Sequence, residues 1–86
     1  MRYQLYRMGK NRENDRYLTF ATTIDNARKR ALELYTGKPI MIKRVSDANE
    51  TDVGYIALNN DGFYYHNLER RTKQFLKSDG TLIQYR

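Results

Sequence analysis

Apolar and polar residues change their spacing along the chain, and the changes mark its elements. From Arg2 to Met8 the pattern is that of a strand, with Tyr3 and Leu5 on one face and Arg2 and Gln4 on the other, although Tyr6 and Met8 blur the alternation. The polar, turn-rich segment Gly9 to Asp15 reads as a long hairpin loop, and Arg16 to Ala21 resumes strand character through Tyr17, Leu18, Thr19 and Phe20. The two strands are expected to pair antiparallel. Thr22 or Thr23 then offers a side-chain oxygen to a free N–H of the following turn, so a helix is expected over about 23–36. Its apolar stripe is Ile24, Ala27, Ala31 and Leu34, with Tyr35 alongside, while Asp25, Asn26, Lys29, Arg30 and Glu33 take the solvent side. Gly37 is the expected left-handed stop, and Pro39 prevents the helix from resuming.

Period two returns after the helix. Ile40 to Val45 is the next strand, and its run Ile40-Met41-Ile42 suits an interior position. Ser46 to Asp52 reads as an acidic connection. Val53 to Leu58 and Phe63 to Leu68 form a hairpin around Asn59-Asn60-Asp61-Gly62, where Asp-Gly supplies positive φ. Register then places Ile56, Leu58, Phe63 and Tyr65 on one face, the expected core, and Tyr55, Ala57, Tyr64, His66 and Leu68 on the other. In the tail, Gln74 to Lys77 and Thr81 to Tyr85 flank Ser78-Asp79-Gly80 as a second hairpin; a short helix over Arg70 to Lys77 is the competing reading. The sum is an α+β two-layer domain: an antiparallel sheet of about five strands, with room for six or seven, and one helix on one face, in the order ββα then strands.

Length sets the scale of what this fold can hold. A chain of 86 residues is one domain, and a domain this small buries only about 60% of its unfolded surface, so a deep cofactor cavity competes with the core. The absence of cysteine removes disulfides, thiolate metal sites and cysteine nucleophiles, and suits a cytoplasmic protein. The apolar run Ile40-Met41-Ile42 is far below the roughly 18 residues of a membrane helix, so no membrane association is expected.

Charge changes the picture most. Sixteen Lys+Arg against ten Asp+Glu give +6, which favours an acidic partner, nucleic acid first and an acidic or nucleoprotein surface second. Residues 1–16 carry five basic and two acidic groups, 69–86 carry the same numbers, and 46–61 carry four acids and no base.

Catalytic equipment is thin. His66 is the only imidazole, and the only serines, Ser46 and Ser78, each precede an aspartate in an expected turn. Asp47, Asn49, Glu50 and Asp52 cluster, but without the central glycine and closing glutamate of a calcium loop. The five glycines are scattered singly, so no phosphate-cradling loop is present. The expectation is a non-enzymatic protein with no cofactor and no metal.

Binding chemistry is better supplied. If the tail is extended, Arg71, Lys73 and Lys77 project from one face with Phe75 among them, at about 6.6 Å per two residues, a spacing that meets successive phosphates. Lys10, Arg12 and Arg16 add cations beside the amides of Asn11 and Asn14. Arg28, Lys29 and Arg30 fan around the helix at about 100° per residue and form no single patch. Tyr55, Tyr64 and His66 on the second face of the hairpin match in kind the ring platforms on which unpaired bases stack, and the same rings serve docking on a protein partner equally well.

A three-stranded sheet backed by a helix, as this order of elements can form, resembles the DNA-binding end of some phage-type integrases, which insert a sheet into the major groove. Small size, basicity and missing catalytic groups also resemble phage or mobile-element inhibitors of host machinery, including anti-CRISPR proteins. The first likeness implies a nucleic-acid-binding module. The second implies a protein–protein inhibitor or adaptor docking on a host complex.

Overall fold

The computed structural model describes residues 2–9 and 15–83. Its elements are β1 (Arg2–Arg7), β2 (Arg16–Ala21), α1 (Ile24–Leu34), β3 (Ile40–Ser46), β4 (Asn49–Asn59), β5 (Gly62–Asn67) and β6 (Thr72–Phe75). The strands form one antiparallel sheet in the order β2-β1-β3-β4-β5-β6. Both β2 and β3 run antiparallel to the β1 between them, so they are parallel to each other and α1 makes the crossover of a split βαβ unit. One helix on one face of this sheet is the α+β arrangement expected from the sequence.

The core lies between α1 and the sheet. Leu5, Ile40, Ile42 and Ile56 are its largest fully buried side chains, joined by Ala21, Ala27, Ala31, Val53, Tyr65 and Leu76. Because each inward residue of β3 is followed by one on the opposite face, Met41 is buried on the helix-free side. Thr23 caps the helix, its Oγ1 accepting from the Asn26 N–H at 3.1 Å. The alanines let α1 approach closely, and Arg28 fills the next inward position. It reaches over the Tyr65 ring, pairs with Asp25, and donates from Nε to the Gly80 carbonyl at 3.3 Å.

Several expectations are corrected here. Leu34 is 37% exposed, because the buried face of the helix turns through Ala27, Arg28 and Ala31 rather than ending on Leu34. Leu58, at 50% exposure, leaves the expected core set because it stands at the tip of the β4–β5 hairpin, beyond the helix. The helix stops before Gly37: Tyr35 turns extended to seat its ring against Phe63, centroids 5.0 Å apart, and Gly37 at φ 107° serves the loop that follows. The segment Ser46 to Asp52 is not a connection. A two-residue turn at Asp47-Ala48 lets β4 start at Asn49, and the strand carries Val53 as an extra residue where the pairing shifts from Ile42↔Gly54 to Lys43↔Asp52. In the β4–β5 turn only Gly62 takes positive φ; Asp61 does not, its N–H being held by the Asn59 Oδ1 at 2.8 Å.

The tail turns back as a hairpin and not as a helix, but it is smaller than expected. Its pairing is the bridge Leu76↔Leu82, with the Lys77 N–H on the Thr81 carbonyl and the Ile83 N–H on the Phe75 carbonyl, both at 2.9 Å. This hairpin docks on α1 through Gly80, where a Cβ would stand 2.8 Å from the Lys29 Cα and N. The expected strand end at Gln84 and Tyr85 lies outside the described residues.

Candidate functional site

The helix covers one face of the sheet, and the other face carries rings. Cross-strand register places Tyr17, Tyr6, Met41, Tyr55, His66 and Lys73 in one row across all six strands, each directly beside the next. A second row holds Ala57, Tyr64 and Phe75. At about 4.8 Å between neighbouring strands, the six-strand row is roughly 24 Å long. Met41 and Ala57, 3% and 5% exposed, form a floor from which the half-buried rings stand out.

The rings hold one another in place. Tyr6 and Tyr17 meet edge to face at 5.5 Å, and the Tyr6 hydroxyl donates to the Gln4 Oε1 at 2.9 Å. Tyr55 and His66 lie stacked with 4° between their planes and 5.1 Å between centroids. Tyr64 meets Tyr55 at 6.4 Å and Phe75 at 6.5 Å, both edge to face. Burial raises the pKa of the Tyr6 phenol, with Glu50 and Tyr17 adding to it, and burial with Tyr64 nearby raises that of Tyr55. Both phenols therefore stay neutral at physiological pH.

Cations stand over this surface. The Lys73 ammonium lies 4.3 Å from the Tyr64 centroid, the Lys43 ammonium 4.7 Å from that of Tyr6, and the Arg2 guanidinium 5.3 Å from that of Phe20. The result is two ring clusters, Tyr6/Tyr17/Phe20 on β1–β2 and Tyr55/Tyr64/His66/Phe75 on β4–β6, with Lys43 on β3 between them.

The three rings expected from the sequence, Tyr55, Tyr64 and His66, are thus brought together. The six expected cations are not. Lys73 joins the rings, because β6 is a strand and pairs it with His66. Arg71 sits in the turn before β6 at φ 56°, not in a strand, and Lys77 lies past Phe75 in the docked tail hairpin, so the three do not share one extended face. Arg16 pairs with Arg7, one residue out of phase with Tyr17, and so belongs to the opposite face. Lys10 and Arg12 lie outside the described residues. Tyr6, Tyr17, Phe20, Phe75, Lys43 and Arg2 were missed as site residues. The signal was present: Tyr6 breaks the alternation set by Leu5 because the opposite face is itself aromatic.

A groove of about 720 Å³ opens on the helix side, between Tyr3, Ile24, Arg44, Glu69, Arg70 and Leu82. Its arginines are largely engaged: Arg44 is held by Glu69 at 2.8 Å, the hydrogen bond that raises its pKa, and Arg28 by Asp25. Among the described residues, no group of three or more His, Asp or Glu side chains is placed to hold a metal ion, and no helix is long and apolar enough to cross a membrane. Comparison with protein-family models, curated proteins and solved structures gives no match to this chain.

Proposed function

We propose that the protein is a non-enzymatic module that binds single-stranded nucleic acid on the helix-free face of its sheet. The observation that carries this reading is the set of rings on the helix-free face, four of them in the row that crosses the sheet, with ammonium groups 4.7 Å from Tyr6 in that row and 4.3 Å from Tyr64 in the next. Unpaired bases need flat apolar faces, and the phosphates between them need cations at short intervals; both are supplied on one rigid surface. A duplex, whose bases are already stacked on one another, gains only the phosphate contacts.

The test is a titration of fluorescently labelled single strands and the matching duplex across a salt series. With Arg2, Lys43 and Lys73 as the phosphate contacts, a log–log slope of about −2 is expected on single strands, at roughly −0.7 per phosphate. Single strands are expected to bind more tightly than duplex at every salt concentration. No complex with either at low ionic strength overturns the reading.

A second reading, docking on a protein partner as an inhibitor or adaptor, is favoured by the exposure of Tyr17 and Phe20, 47% and 43%, on the same face. There the aromatic side chains act as interface anchors and the lysines mainly raise the association rate. Capture of a partner that survives nuclease treatment, together with failure to bind oligonucleotides, selects it.

A further inference from the structure

Lys43 and Lys73 occupy positions that a stacked base also needs. Each ring of the helix-free face rests on the sheet or on neighbouring rings, so a planar ligand approaches from the solvent side. On Tyr6 and Tyr64 an ammonium already lies within 5 Å of the centroid, at 4.7 and 4.3 Å. An ammonium and a base cannot both cover one ring face. The lysine head group is, however, compact, strongly hydrated and carried on a flexible four-carbon stem, so it can leave the ring while its backbone stays in the sheet. In a nucleic-acid strand each base brings a phosphate a few ångströms away.

Resting on the single-strand reading above, we propose that Lys43 and Lys73 are exchangeable covers: each shields its ring in the free protein and moves to a backbone phosphate when a base stacks. The consequence is selectivity for a class of ligand. A strand with both unpaired bases and a charged backbone replaces each ring–ammonium contact by a base–ring contact and a phosphate–ammonium contact. An aromatic ligand without negative charge displaces the ammonium and offers it nothing. The surface is thus built to refuse neutral aromatic ligands and to accept unpaired polyanionic strands. Among the described residues the ammonium contacts fall on Tyr6 and Tyr64, and a guanidinium lies over Phe20.

The test crosses two proteins with two ligands: wild type and Lys73→Gln, each titrated with a single-stranded oligonucleotide and with the same base sequence on an uncharged methylphosphonate backbone. Lys73 is exposed, so the substitution is expected to keep the fold and to lower Tm by no more than the few degrees that loss of one exposed cation–π contact implies. Lys73→Gln is expected to weaken binding of the phosphodiester strand and to strengthen binding of the uncharged strand by about two- to five-fold, the range set by an exposed cation–π contact. Lys43→Gln is expected to show the same crossing. Independently, the Lys73 ε-methylene protons should be shifted upfield by the Tyr64 ring in the free protein and should lose that shift when the phosphodiester strand is added. If wild type binds the phosphodiester strand but the uncharged strand is bound no better by the variants, or the ε-methylene shift persists in the complex, the exchange is overturned while the single-strand reading stands. If wild type binds no phosphodiester strand, both fall.

Discussion

The tightest contact beneath the proposed surface is between a backbone and a ring, and one methyl group tests it. Gly54 precedes Tyr55 on β4, and the Tyr65 ring lies directly on it: a Cβ at Gly54 would stand 2.4 Å from the Tyr65 Cζ and Oη and 2.5 Å from Cε1. That ring cannot simply slide away. Its hydroxyl donates to the Val53 carbonyl at 3.2 Å, Arg28 stacks over it with the guanidinium 5.4 Å from its centroid, and the side chain is 3% exposed. Gly54→Ala must therefore expel the ring, giving up the hydroxyl bond, worth about 0.5–1.5 kcal/mol, and adding an overpacking penalty of about 1–3 kcal/mol. The reduced freedom of the unfolded chain returns only about 0.4–1 kcal/mol. A net loss of about 2 kcal/mol is expected, which for a domain of this size lowers Tm by roughly 8–16 °C. Differential scanning calorimetry or thermal circular dichroism reads it directly. The decisive comparison is made in a Tyr65→Leu background, where the obstacle is gone and Gly54→Ala should cost at most a few tenths of a kcal/mol. Equal losses in both backgrounds, or no loss in wild type, would refute the packing described here and with it the register that puts Tyr55 and His66 on the opposite face.

Three further outcomes are expected. Ile56→Ala, at a fully buried site, should cost about 2–5 kcal/mol in chemical denaturation, whereas Leu34→Ala, at an exposed one, should stay within about 0.5 kcal/mol; a large loss for Leu34 would restore it to the core. Arg71 holds φ 56°, a region where a long side chain is strained by about 1 kcal/mol or more, so Arg71→Gly should leave stability unchanged or raise it by up to about 1 kcal/mol. The same variant should bind single strands with nearly unchanged affinity, since Arg71 stands in the turn outside the ring surface, and a large loss would add Arg71 to the phosphate contacts. Burial raises the Tyr65 pKa above its unfolded value, so the folded state holds that proton longer; the stabilisation is complete below pH about 10 and is lost as pH rises through the folded pKa. Melting curves should fall in Tm above pH about 10, and fall less in Tyr65→Phe; identical alkaline profiles would contradict this.

The helix, the order of elements along the chain and the antiparallel character of the sheet were legible because each rests on local signals: the Thr23 cap, the Ala27/Ala31 spacing and the alternation at Ile40 and Ile42. What sequence spacing could not show was where a helix of eleven residues would stop covering a six-stranded sheet. Leu58 fits an apolar pattern but falls beyond the overlap of the two layers, and Leu34 stands at the rim of the buried face of the helix. Conversely, Arg28 stood outside the expected apolar stripe of the helix. It is buried because Asp25, the Tyr65 ring and the Gly80 carbonyl satisfy it from elements up to 52 residues away. The site was half legible for the same reason. Tyr55, Tyr64 and His66 are near in sequence and share a hairpin, so alternation alone assembled them. Tyr6 and Tyr17 join them only through the pairing of β1 with β3, a long-range contact that no local pattern states. The tail cations Arg71, Lys73 and Lys77 do not share one extended face because one positive-φ residue, Arg71, and one docked glycine, Gly80, bound the straight strand that their spacing assumed.

The central claim is that the rings of the helix-free face stack unpaired bases, and removing one ring tests it most directly. Tyr64 is in contact with Tyr55 and Phe75 and lies under Lys73, yet it is outside the helix-side core. Binding of wild type and Tyr64→Ala to a labelled single strand and to its duplex, at one salt concentration, is the measurement. A loss of about 1–3 kcal/mol on the single strand with little change on the duplex is the predicted result. Equal affinity of the two proteins for the single strand, with the fold intact, would contradict it.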